Sequence, residues 1–75
     1  MPKIPRITGE EAVRAFERAG FTCVRITGSH HVMKKPGCRN LLSIPVHSGK
    51  NVGKGLLRSQ IDAAGLTVAQ FIALI

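Results

Sequence analysis

Apolar residues recur along this 75-residue chain with two different periods, and the changes of period mark its elements. Ala12, Val13, Ala15, Phe16 and Ala19 fall on one side of a helix. Thr8 precedes them and Glu11 follows Thr8 by three, the capping-box pair in which a hydroxyl takes one free N–H and a carboxylate returns to another. Gly20 then supplies a residue suited to the left-handed conformation that ends helices. The pattern predicts a helix over 9–19. Residues 21–27 are rich in β-branched and aromatic side chains and predict a strand. Gly28-Ser29 reads as a turn, and 30–35 as a second strand. Pro36-Gly37 suits the centre of a type II turn, because Pro fixes φ and Gly accepts a positive φ. Residues 39–46 predict a third strand, with Pro45 near its end, where a missing N–H does least harm. Connections this short join antiparallel neighbours, so the strands should form a meander.

Residues 47–55 form a Gly- and Lys-rich loop. Leu56, Leu57, Ile61 and Ala64 then mark a second helix over about 54–64, closed by Gly65. Thr67 and Gln70 make another capping box, with Leu66 and Phe71 able to staple it, and open a short third helix. Its apolar side, Phe71, Ile72, Leu74 and Ile75, must pack on the sheet or on a partner. The order predicts an α+β fold: a three-stranded antiparallel sheet with helices on one face. Residues 1–75 should be one domain, with a thin core, since a chain this short hides only about 60% of its unfolded surface. No apolar run approaches the ~18 residues of a membrane span, and no signal-peptide core is visible, so a cytoplasmic location is expected.

Charge changes the picture. Eleven Lys and Arg stand against four Asp and Glu, a net +7. Between Glu17 and Asp62 there is no acid, while Arg18, Arg25, Lys34, Lys35, Arg39, Lys50, Lys54 and Arg58 all lie there, with the three histidines. Ordinary solvated surfaces mix both signs. A one-signed stretch is a field that concentrates polyanions, with nucleic acid the leading partner and an acidic protein the second. A membrane surface fits less well, because no segment is both basic and strongly amphipathic. Two-metal hydrolysis needs several converging carboxylates, and three of the four acids crowd the first helix. Cys23 and Cys38 lack metal-ligand spacing and read as two reduced thiols. Neither metal nor cofactor is expected.

The candidate chemistry lies at Gly28-Ser29-His30-His31. Strand geometry puts His30, Val32 and Lys34 on one face and His31, Met33 and Lys35 on the other, without saying which face the helices cover. A lone strand histidine is more often structural than catalytic. Imidazole nevertheless titrates near neutrality and can both take and give protons. RNA supplies its own nucleophile, the 2′-OH beside each phosphate. A base, cations for the developing charge and an acid for the leaving oxygen would complete a metal-free cleavage that DNA cannot undergo. Ser29 beside His30 is no hydrolase dyad, since adjacent strand residues face apart and no nucleophile elbow is present. Cys38 sits in a turn and fares no better. The loop Ser48-Gly49-Lys50-Asn51-Val52-Gly53-Lys54-Gly55 lacks the P-loop pattern. It reads equally as a flexible surface loop or as amides open to a phosphate.

Gly28-Ser29-His30-His31-Val32, Ile44-Pro45-Val46-His47, Gly49-Lys50, Leu57-Arg58-Ser59 and Ala64-Gly65-Leu66-Thr67 together resemble the HicA (YcfA-like) toxin family, in order and spacing, over residues 8–74. The resemblance implies a fold similar to a double-stranded-RNA-binding domain. It also implies an mRNA interferase of a type II toxin–antitoxin pair, held in check by a HicB-type antitoxin. The histidine after Gly-Ser, here His30, would be catalytic. Lys34, Lys35, Arg39, Lys50, Lys54 and Arg58 are the candidate RNA-binding cations, Lys34, Lys50 and Arg58 foremost, with Ser29 and His47 as accessory residues. His47 reads better as a loop anchor than as a second proton carrier. A non-catalytic RNA-binding module is the alternative. Met33 stands where the family often has an aromatic, so contacts to the RNA backbone should outweigh base stacking and sequence selectivity should be low.

Overall fold

The computed structural model describes residues 2–75. The first helix, α1, runs Gly9–Arg18 and is capped as its sequence requires. Glu11 N–H donates to Thr8 Oγ1 at 3.2 Å, and Thr8 N–H donates to Glu11 Oε1 at 3.0 Å. A cap of this kind contributes about 1 kcal/mol. The Thr8 backbone N–H, reinforced by its hydroxyl, holds the Glu11 carboxyl below its ordinary pKa. At the other end Gly20 adopts φ 104°. Gly20 N–H then donates to Glu17 O and Phe21 N–H to Phe16 O, both at 3.0 Å. The Phe16 and Phe21 rings meet edge to face, 6.0 Å between centroids. This closure consumes the N–H of Phe21, and the first strand starts one residue later than predicted.

The strands are β1 (Thr22–Thr27), β2 (His30–Lys34) and β3 (Leu42–Pro45), antiparallel in the order β1-β2-β3. Gly28, at φ 59°, takes the first central place of a two-residue hairpin turn and sets Thr27 opposite His30. Gly37, at φ 83°, and a bond from Cys38 N–H to Lys35 O (3.1 Å) make the expected type II turn. Two departures from the prediction matter. Register shifts between Cys23 and Arg25, a β-bulge at Val24 that lets both Val24 and Arg25 turn to one face. The third strand begins at Leu42, not at 39, because the approach to it is tied elsewhere. Asn40 Nδ2 donates to Ala63 O at 3.1 Å, and Cys38 Sγ lies 3.6 Å from the same carbonyl.

That carbonyl ends α2, Lys54–Ala63, and Gly65 at φ 77° closes the helix in the manner of Gly20. The last helix, α3 (Val68–Ile72), has both halves of the Thr67–Gln70 capping box. Phe16, Met33, Leu42, Ile44, Leu57, Ile61 and Phe71 are wholly buried, so α1, α2 and α3 share one core with a single face of the sheet. Phe71 packs on Phe16 at 4.9 Å between ring centroids, while Ile72 and Ile75 of the predicted apolar C-terminal side stay exposed. The other face of the sheet carries no helix.

Gly9 joins the helical layer to the end of β3. A Cβ there would collide with Pro45 O and lie 2.8 Å from Val46 Cα, both backbone atoms that cannot swing away. The approach lets the segment before α1 meet the 47–53 loop, where Val52 N–H donates to Ile7 O at 2.9 Å. Gly9→Ala should therefore destabilise the chain by ~2 kcal/mol or more, read from urea unfolding. Unchanged stability would contradict this close approach.

Candidate functional site

The pleat decides what each face of β2 presents. Met33 points into the core opposite Leu42, and His31, opposite Ile44, is half-buried on the same side. His31 Nδ1 lies 3.9 Å from Cys23 Sγ, and both cysteines are free thiols. His30, Val32 and Lys34 therefore occupy the helix-free face, where His30 is exposed. Of the two adjacent histidines, the structure places His30 outside.

Register supplies the neighbours of His30. It stands opposite Thr27 on β1 and Pro45 on β3, while Val32 stands opposite Arg25 and Ser43. Arg25 and Ser43 are thus diagonal to His30, one on each side, within reach of a long or hydrogen-bonding side chain. Ser43 Oγ lies 3.2 Å from His30 Nδ1. At the same end of the sheet, Val46 N–H donates to Ser29 O at 2.7 Å, and Ser29 Oγ lies 3.4 Å from His47 Nε2. This contact links His47 to the β1–β2 turn. Lys50 N–H donates to His47 O at 3.0 Å, which brings exposed Lys50 to this end as well.

The remaining predicted cations are dispersed. Lys34 shares the face of His30 but lies four residues along the strand, roughly 13 Å at the usual rise. Lys35 turns the other way: its Nζ sits 5.7 Å from the Phe21 ring centroid, beside Gly20. Arg39 is exposed on the segment tied to the end of α2, and Lys54 is exposed in the first turn of α2. Arg58 Nε is 3.7 Å from Asp62 Oδ1, an exposed i,i+4 pair worth ~0.3–0.5 kcal/mol. Gln60 reaches β3, where its Oε1 accepts a hydrogen bond from Ser43 N–H at 2.9 Å. At 100° per residue, Arg58 projects from a different side of α2.

All four acids belong to helices, Glu10, Glu11 and Glu17 to α1 and Asp62 to α2. The three strands carry none, so Arg25 and Lys34 act on the open face without a counter-charge from the sheet. Among the described residues, no three of His, Cys, Asp and Glu converge as a metal-binding group, and no helix is long and apolar enough to cross a membrane.

Two neighbours of His30 were not among the candidate site residues: Arg25, which the sequence showed only as part of the basic stretch, and Ser43. For Arg25 the signal was present: a two-residue turn fixes Thr27 opposite His30, and counting back two gives Arg25 opposite Val32. Ser43 had no such signal, because the β2–β3 connection is long and its register is set by packing. Compared with known proteins, residues 9–66 match the family model described as "HicA toxin of bacterial toxin-antitoxin". No curated protein matches the chain.

Proposed function

This chain belongs to the HicA toxin family of bacterial toxin–antitoxin systems, and on that premise we propose that it is a metal-independent endoribonuclease whose catalytic group is His30. The observation that carries the reading is an exposed imidazole on a helix-free, acid-free sheet face, with Arg25 diagonal to it. His30 takes the proton of a ribose 2′-OH. The 2′-oxygen bonds to the adjacent phosphorus, the bond from phosphorus to the 5′-oxygen breaks, and that oxygen takes a proton from water. The products end in 2′,3′-cyclic phosphate and 5′-OH, and the imidazolium returns its proton to solvent. Arg25 neutralises charge at the reacting phosphate. Lys34 and Lys50, on either side along the strand direction, hold neighbouring phosphates. Lys35 and Arg58, turned elsewhere, contribute less than their sequence positions suggest. The antitoxin that family membership implies is a HicB-type protein covering His30, and the chain acts on mRNA in the cytoplasm.

Expected outcomes follow for two sets of variants. Folded His30→Ala loses at least about 100-fold in RNA cleavage, while His31→Ala and His47→Ala retain most of it, and EDTA leaves wild-type cleavage unchanged. Cleavage surviving in His30→Ala, or lost in EDTA, overturns the mechanism, and RNA bound but left whole by wild type would leave a binding module. Lys34→Ala should reduce the salt slope of RNA binding by about one, the signature of one lost phosphate contact. Lys35→Ala should leave that slope alone and cost ~0.5–1 kcal/mol of stability through the lost Phe21 contact. The opposite assignment of slopes would contradict the facing of β2.

A further inference from the structure

Resting on the ribonuclease reading above, we propose that Ser43 is a positioning residue that fixes the tautomer and ring orientation of His30. A neutral imidazole carries one proton on one of two nitrogens, and only the bare nitrogen can act as a base. Ser43 Oγ lies 3.2 Å from Nδ1. When the hydroxyl oxygen accepts Nδ1–H, Nε2 is bare and, on an exposed side chain, free to take a ribose proton. The same bond persists once Nε2 is protonated, so the hydroxyl serves the ring before and after the transfer.

The serine is itself held. Leu42 and Ile44, its neighbours in β3, are wholly buried and fix the strand on both sides. β3 is an edge strand, so the Ser43 N–H has no further strand to bond. Gln60 Oε1 of α2 accepts it instead, at 2.9 Å. A chain of contacts thus runs from α2 through β3 to the exposed imidazole: the helical layer on one face steers a side chain on the other. An exposed ring without it would sample both orientations and both tautomers.

The test compares wild type, Ser43→Ala and Ser43→Thr by RNA cleavage kinetics and by long-range nitrogen–proton NMR of the imidazoles above neutral pH, with His30 assigned through His30→Ala. Wild type should show His30 in the Nδ1–H form. Ser43→Ala should move His30 toward the Nε2–H form that free histidine prefers and lower kcat about tenfold, with KM changed less than twofold. Ser43→Thr should restore both. A wild-type His30 in the Nε2–H form, or a Ser43→Ala chain with unchanged tautomer and kcat, overturns the role of Ser43. Full activity in folded His30→Ala would instead overturn the reading it rests on, and the two failures are therefore distinct.

Discussion

Met33 is the only side chain of β2 with no solvent exposure, and the pleat gives it authority over the whole strand. Residues at odd separations from it face away from the core. His30, three positions earlier, must therefore stand on the open face once Met33 is committed to Phe16, Leu42 and Ile44. A slip of one residue would exchange the two histidines and bury Lys34. The Gly28-Ser29 turn guards against that slip by locking Thr27 to His30.

The size of the chain supplies the second constraint. Three short strands and three helices of ten, ten and five residues can cover one sheet face only. The helices then carry every carboxylate, where Glu11 serves the start of α1 and Asp62 pairs with Arg58. What remains on the sheet is cationic or neutral. The helical acids are matched by Arg14, Arg18, Lys54 and Arg58, so the helices add no net charge, while Arg25 and Lys34 on the open sheet face meet no acid of the sheet beside the exposed His30 imidazole. Ser43 links the layers mechanically, since its amide answers to α2 and its hydroxyl to His30.

Local signals were legible because local chemistry dictates them. Both capping boxes, the glycines that close α1 and α2, and the two turns around β2 form as their residues require. The facing of β2 was not legible, because Val32 and Met33 are both apolar and either could have been the core residue. The bulge at Val24 was hidden for a similar reason: Cys23, Val24 and Ile26 offer no clean alternation. The late start of β3 depends on Asn40 reaching Ala63, a contact 23 residues apart in sequence. Among the candidate site residues, His30 and Lys34 fall on one face and Ser29 with His47 at its end. Lys35 and Arg58 were charges without a direction until Phe21 and Asp62 gave them one.

The ribonuclease proposal requires RNA to lie on the helix-free sheet face. It is tested most directly by amide NMR shifts of the chain titrated with a 2′-O-methyl RNA, which lacks the attacking hydroxyl and stays intact. The largest shifts should fall at Arg25, His30, Val32, Lys34 and Ser43, with α1 and α3 nearly unmoved. Shifts concentrated on the exposed sides of the helices, with β2 silent, would contradict it.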